Sequence, residues 1–169
     1  MANTQFVVNP KRYDPYKNFK FHIRFDGRLV AGVSKVTALK QTTEAVSFRE
    51  GGDPQSPRLT PGSWKYDPIT LDRGVTHDPE FENWAKLLWD VEGGDTAISL
   101  ENFRKELTIE LLNEQGTVAK VYHVHRCWVS SYQALPELDA NANAVAIESM
   151  IIQNEGWSRD LSYAEPKQT

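Results

Sequence analysis

Hydrophobic and polar side chains alternate strictly along residues 19–25, FKFHIRF, and this alternation predicts a half-buried β-strand. The aromatic and aliphatic side chains take one face, and the basic side chains and His22 take the other. Asp26-Gly27 follows directly, and this pair favours a tight hairpin turn because both positions tolerate positive φ. Residues 28–39 are rich in valine and are predicted to be the returning strand.

A polar segment, GGDPQSPRLTPGS at 51–63, separates two strand-like runs at 41–50 and 64–71. It is too long for a tight turn, and loops of this length in compact domains are usually functional or disordered. We therefore expect a long loop over 51–63 between paired strands. Pro68, inside the second run, predicts an edge strand or a bulge because proline has no N–H for a ladder.

One helix is predicted, at residues 78–90, with Asp78 as N-cap, Pro79 in the first turn and Gly93-Gly94 after its end. Its apolar stripe packs on a sheet. The stripe consists of Phe81, Trp84, Ala85 and Leu88, widened by Trp89.

The second half of the chain predicts a hairpin of strands 105–112 and 117–130, followed by a last strand near 145–155. The fold class is therefore mainly β, with six or seven antiparallel strands in a β-sandwich or barrel and one flanking helix. No repeat or second domain is visible, so 1–169 is predicted to be a single domain. Residues 1–18 form an N-terminal arm and 156–169 a polar C-terminal tail.

Composition adds limits to this picture. With 169 residues, 40% hydrophobic and 25% charged, the chain is long enough for one well-packed core. A net charge of -4 gives no electrostatic reason to expect sequence-independent binding to nucleic acid. The single cysteine excludes an internal disulfide framework. No apolar signal region or membrane span is visible, so we expect synthesis in the cytoplasm and any export by another route.

The segment LDANANAVAIESM, residues 138–150, resembles the start of a calcium loop because oxygen ligands recur at every second position. Those positions are Asp139, Asn141 and Asn143. An EF-hand also needs Gly at its sixth position and Glu at its twelfth, where this chain has Ala144 and Met150. The calcium interpretation therefore fails. A turn that bonds its own backbone and leads into a strand is predicted instead.

A second metal candidate is HVHRC, in which His123, His125 and Cys127 alternate and are expected to share one strand face. No partner motif supplies a fourth ligand, so zinc is the minor alternative. Tyr122, Val124 and Trp128 are expected on the core face. Catalytic motifs are also lacking, and we expect no enzyme activity and no cofactor.

Two strands have faces of small polar residues, at 41–50 and 145–155. Such faces suit the wall of a water-filled barrel, and a sandwich with an ordinary solvated face is the alternative. Strand 41–50 contributes Thr43, Ala45, Ser47 and Arg49, and strand 145–155 contributes Ser149 and Gln153 beside apolar neighbours.

Several blocks of the sequence together resemble the tail tube protein family of contractile phages, which includes the inner tube subunits of phage-derived contractile injection systems. The similarity runs in order from about residue 14 to residue 160. The blocks are DPYKNFKFHIRFDGRLVAGVSKV, EGGDP, ITLDRGVTHDPEFENWA and YQALPELDANANAVAIESMIIQNEGWSRD.

The resemblance implies an assembly rather than an enzyme. In this family six subunits close into a ring, and the rings stack into a rigid tube inside a sheath protein, nucleated at a baseplate and closed by a terminator. The tube is driven through a target envelope and delivers DNA or protein cargo. The particle is a phage virion or an injection system, which can act outside the cell that made it.

The resemblance also places residues. It makes 51–63 an extension that reaches the neighbouring ring, and it makes the strands at 41–50 and 145–155 the lumen wall. Lumen-facing residues are then Thr43, Ser47, Arg49, Ser149 and Gln153. Subunit contacts are Glu50, Gly51, Gly52, Asp53, Pro54, Asp139, Asn141 and Asn143. A monomeric ligand-binding β-barrel, for example for a sugar, is the alternative function.

Overall fold

The computed structural model describes residues 17–18, 20–30, 32–49, 51–52, 57–89, 102–141 and 143–163. The strand predicted at 19–25 is β1, Phe21–Phe25, and it buries Ile23 and Phe25 in the core. The turn after it is confirmed, because Asp26 and Gly27 both have positive φ, 46° and 82°.

Ten strands and one helix form within the described residues. They are β1 (Phe21–Phe25), β2 (Arg28–Val30), β3 (Val33–Val36), β4 (Gln41–Phe48), β5 (Arg58–Tyr66), β6 (Ile69–Gly74), α1 (Glu80–Trp89), β7 (Lys105–Leu112), β8 (Val118–Gln133), β9 (Ile147–Gln153) and β10 (Trp157–Asp160). The number exceeds the six or seven expected for three reasons. The run 64–71 divides at Pro68 into the end of β5 and the start of β6. The run 28–39 divides near Gly32, which has φ 78°, so that β2 pairs with β1 while β3 pairs with β6. The predicted tail also contains a strand, β10, which pairs with β8.

The loop expected over 51–63 is partly wrong, because residues 58–63 belong to β5. β5 pairs with β4 in an antiparallel hairpin, and even Pro61 has a partner, Ala45, in the ladder. Cross-strand pairing therefore overrides the polar, proline-rich composition that predicted a loop. Pro68 lies between β5 and β6, which belong to different sheets.

Eight strands make one antiparallel sheet, in the order β2-β1-β7-β8-β9-β6-β3 with β10 beside β8, and β4-β5 is a separate two-stranded sheet. The mainly β class with one helix is confirmed. The sheet encloses a core whose largest fully buried apolar side chains include Phe25, Phe81, Trp84, Leu71, Leu107, Met150 and Ile152.

Helix α1 begins close to the predicted position. The Asp78 Oδ1 atom accepts a hydrogen bond from the N–H of Glu80, as an N-cap side chain does. The Phe25 ring contacts the Trp84 ring edge-on, with 4.5 Å between ring centroids, so the helix covers the sheet through its apolar stripe. Trp89 does not widen that stripe, because it is 45% exposed.

A β-bulge in β8 overturns the face assignment of HVHRC. Arg126 has φ 52°, and the β7–β8 register shifts next to it. The extra residue reverses the inward and outward alternation, so Cys127 points into the core while His125 remains outside. Trp128, expected in the core, is only half-buried for the same reason.

Candidate assembly surfaces

The hairpin of β4 and β5 is the most exposed pair of strands in the described fold. Its strands pair only with each other among the described residues, and nearly every position along them is exposed. A two-stranded sheet without a third strand or a covering layer is marginal in water. The hairpin therefore has the structure of an element that is completed by a partner.

Both faces of this hairpin carry large hydrophobic side chains. Ser47 lies opposite Leu59, and Thr43 lies opposite Trp64, so those two apolar side chains share the face of the small polar residues. Their exposed fractions are 71% for Leu59 and 62% for Trp64. Val46 and Phe48 alternate with Ser47 and are exposed on the other face. Neither face is an ordinary solvated surface.

The lumen residues predicted on strand 41–50 are Thr43, Ser47 and Arg49, and all three are exposed. Thr43 and Ser47 lie in β4, and Arg49 follows its last residue. Their position facing a lumen stays a prediction. The face is less uniformly polar than the sequence of β4 suggested, because β5 contributes Leu59 and Trp64 to it.

The lumen residues predicted on strand 145–155 lie on the face of β9 that points away from the core. Ser149 Oγ donates to Asp72 Oδ1 at 2.7 Å, which ties β9 to β6. Gln153 Nε2 donates to Ser130 Oγ at 3.2 Å, which ties β9 to β8. Both side chains are half-buried, and the buried positions of β9 alternate with them. Ile147 and Ile151 lie on the same face, which therefore mixes hydrogen-bonded polar side chains with half-buried isoleucines.

The predicted contact residues divide into two groups. Glu50, Asp53 and Pro54 lie outside the described residues, whereas Gly51 and Gly52 form an exposed turn. In the second group, Asp139, Asn141 and Asn143 are exposed, and Asp139 Oδ1 accepts a hydrogen bond from the Asn141 N–H at 2.9 Å. The self-bonded turn predicted for this segment is thus present. Contacts to another subunit stay a prediction for both groups.

An apolar groove of about 370 Å³ opens where β1, β7 and β8 meet the end of β3. Phe21, Ile109 and Trp157 line it and also pack against the core, so the groove is an open end of the hydrophobic interior. Sequence periodicity did not identify it, because its residues come from strands far apart in the chain.

A buried ionic cluster holds the helix on the sheet, and sequence reasoning missed it. The Arg73 guanidinium is 1% exposed and donates to Glu148 and to Asp78, and it lies 4.1 Å above the Phe81 ring. Tyr132 donates its hydroxyl to Glu148 at 2.9 Å. Burial, followed by this hydrogen bond, raises the pKa of Tyr132 to about 12. The sequence did contain a signal for a buried arginine, since Arg73 follows Ile69 and Leu71 on the same strand face.

Polar pairs cover the outer face of β7, β8 and β10. His125 lies between Glu106 and Ser158, with 2.9 Å to each, and His123 lies 3.5 Å from Asp160. Hydrogen bonds from Ser162 hold the pKa of Asp160 below its usual value. Within the described residues no three His, Cys, Asp or Glu side chains are grouped to hold a metal ion. In the same part of the chain, no helix is long and apolar enough to cross a membrane.

Comparison with known families decides what these surfaces belong to. The family described as T4-like virus tail tube protein gp19 matches residues 17–158, which is most of the chain. The chain belongs to this tail tube protein family. It is a structural subunit of a tube, and the predicted family is confirmed.

Solved structures agree with the family at the level of the fold. A chain of the anti-feeding prophage (AFP) baseplate superposes with a TM-score of 0.72 and 19% identity, covering 88% of this chain and 97% of that one. A chain of the PVC sheath-tube complex in the extended state superposes with a TM-score of 0.69 and 20% identity, covering 95% of this chain and 98% of that one. Hcp1 from Flavobacterium johnsoniae superposes with a TM-score of 0.56 and 14% identity, covering 89% of this chain and 100% of that one. No curated protein matches in sequence.

Family membership and fold together do not favour the alternative of a monomeric ligand-binding barrel. The exposed hairpin is consistent with this outcome, because a monomer gains nothing from an apolar element that water surrounds on both faces.

Proposed function

We propose that this tube protein closes into rings of six copies, and that the rings stack into a hollow, rigid tube inside a contractile sheath. The observation that carries this proposal is the hairpin β4–β5, which has no third strand in the described structure and exposes Leu59 and Trp64 on one face and Val46 and Phe48 on the other. Contact between copies completes the hairpin and buries the face of Val46 and Phe48, which is turned away from Thr43 and Ser47.

The inner wall of the proposed tube carries small polar side chains, with Leu59 and Trp64 beside those of β4. Ser149 and Gln153 face the lumen from β9, and Thr43, Ser47 and Arg49 face it from β4 and its end. The support is that β9 turns its other face to the core, so that Ser149 and Gln153 lie on a hydrogen-bonded outer surface. A wall without a dominant charge lets a protein or DNA cargo pass without strong adhesion.

The partners follow from this architecture. A sheath surrounds the tube, a baseplate begins it, and a terminator ends it. The solved neighbours come from a baseplate, a tube-terminating cap and a sheath-tube complex, which supports these partner classes. The assembled particle is a phage virion or an extracellular injection system, and the subunit contributes surfaces to it rather than catalysis. Residues 50–54 and 139–143 contribute to contacts between copies.

The test compares assembly of the native chain with assembly of two variants. Val46→Ser/Phe48→Ser removes the apolar side chains from the hairpin face turned away from the proposed lumen. Leu29→Ser removes a leucine elsewhere, on β2, that is 52% exposed. Negative-stain imaging and sedimentation, with and without baseplate proteins of the same particle, should show rings or tubes for the native chain and Leu29→Ser. The hairpin variant should stay monomeric with an unchanged circular dichroism spectrum.

Two results would count against the proposal. A native chain that remains a 19.2 kDa monomer under all of these conditions contradicts assembly itself. A hairpin variant that assembles as well as the native chain contradicts the role given to β4–β5.

A further inference from the structure

Basic side chains lie beside the apolar groove, on the face of the sheet where the groove opens. Tyr122 and Leu111 line the groove, and their cross-strand partners are Arg159 and Lys120. Residues directly opposite in antiparallel strands share a face, so both basic side chains lie on the groove side of the sheet. Arg159 is exposed and makes no ion pair within the described part of the chain.

The connection between β8 and β9 has the complementary chemistry. Leu135 and Leu138 are 53% and 69% exposed, an unusual position for two leucines in a short segment. Glu137 lies between them and Asp139 follows, so the segment LPELD presents apolar and acidic side chains together. Glu137 is exposed, and no ion pair involves it in the described structure.

The groove and this segment lie at opposite ends of the subunit. Tyr122 is near the start of β8, and Gln133 ends it, which separates them by roughly 35 Å at the usual rise of a strand. β9 returns from the same end, since Ser149 pairs with Gln133. The segment therefore cannot fill the groove of its own copy.

We propose that residues 135–139 of one copy dock into the apolar groove of a second copy, with Leu135 and Leu138 in the groove and Glu137 beside Arg159. Complementary surfaces at opposite ends make a head-to-tail contact, and such a contact extends into an open array when its rotation does not close into a ring. This inference rests on the proposed tube, and it names the contact that joins successive rings along the axis.

A charge exchange tests the pairing. Glu137→Lys and Arg159→Glu each place like charges together, and each should raise the protein concentration needed for tube growth by about tenfold or more. The double variant Glu137→Lys/Arg159→Glu restores opposite charges and should return growth toward the native level. Arg159→Lys keeps the charge and serves as the matched control. Two single defects that simply add in the double variant would overturn the pairing.

Crosslinking tests the docking itself. In Leu111→Cys/Leu138→Cys, a short bis-maleimide should join copies into a ladder on a denaturing gel. Thr108→Cys/Leu138→Cys is the control, because Thr108 lies on the opposite face of β7. Tubes that form without a ladder, or with equal ladders in both variants, refute the groove contact but leave the tube intact. Failure of the native chain to form any ring or tube refutes the proposed function and this contact together.

Discussion

Arg73 on β6 and Glu148 on β9 form an ion pair in the interior, with side chains that are 1% and 6% exposed. The two residues are cross-strand partners in the ladder, and Arg73 extends the contact to Asp78 at the start of the helix. One guanidinium therefore joins two strands and a helix terminus. Such a link specifies where the helix sits on the sheet.

Removing one member of this pair should destabilise the fold strongly. Arg73→Met leaves the Glu148 carboxylate buried without its cation, which costs about 3–5 kcal/mol in comparable cases. Urea unfolding followed by circular dichroism measures the change. In Arg73→Met/Glu148→Met neither charge remains buried. The double variant should therefore lose clearly less free energy of unfolding than Arg73→Met and Glu148→Met lose in sum. Additive losses would show that the two charges do not depend on each other.

The left-handed backbone at Arg126 predicts an unusual response to substitution. A β-branched residue is strained at φ 52°, so Arg126→Val should lower stability by about 1–2 kcal/mol. Arg126→Gly removes the strain and should be neutral or stabilising, since the exposed ion pair with Glu155 contributes little. Thermal unfolding of the two variants compares them directly. Equal melting temperatures would mean that the bulge carries no strain.

Cys127 should be unreactive in the folded protein. Burial raises the pKa of its thiol from 9.0 to about 12, and the side chain is fully enclosed. An aromatic disulfide that releases a coloured thiolate on reaction with a thiol should give almost no absorbance at neutral pH with the folded protein. After denaturant unfolds the chain, one thiol per chain should react. Fast reaction of the native protein would place Cys127 outside the core.

The same thiol predicts a dependence of stability on pH. A folded-state pKa above the unfolded value stabilises the fold fully below about pH 9, and this contribution is lost as the pH rises towards 12. Cys127→Ala removes that contribution. Its free energy of unfolding, measured from pH 8 to pH 11, should therefore fall less steeply than that of the native chain. Identical slopes would assign the alkaline loss to other groups.

Two glycines offer a matched pair for testing the hairpin. A Cβ at Gly62 would lie 2.7 Å from Val46 Cγ2 and 3.2 Å from the carbonyl oxygen of Glu44, whereas a Cβ at Gly74 meets nothing within 4 Å. Gly62→Ala should therefore loosen β4–β5, and Gly74→Ala should leave it unchanged. Hydrogen exchange of the hairpin amides measures this. Equal protection in both variants would mean that β4–β5 tolerates a side chain at position 62.

Local patterns predicted the elements whose determinants are local. The alternation in 19–25, the Asp26-Gly27 turn and the stripe of the helix all lie within a few residues, and all appear in the structure as expected. The stretch 58–63 was misjudged, because only its pairing with β4 makes it a strand. Trp89 was misjudged because helical spacing does not show which part of a stripe tertiary packing covers, and this last residue of the helix is 45% exposed.

Sequence alone therefore determined the fold class, the helix and, through whole-chain resemblance, the family to which the chain belongs. The tertiary structure decided what depends on distant residues. It placed Cys127 in the core through one bulge at Arg126, gathered Arg73, Glu148 and Tyr132 into one cluster, and opened a groove at one end of the sheet. The physical reason is that faces, clusters and grooves arise from the register between strands, and register is set by partners that a linear pattern does not contain.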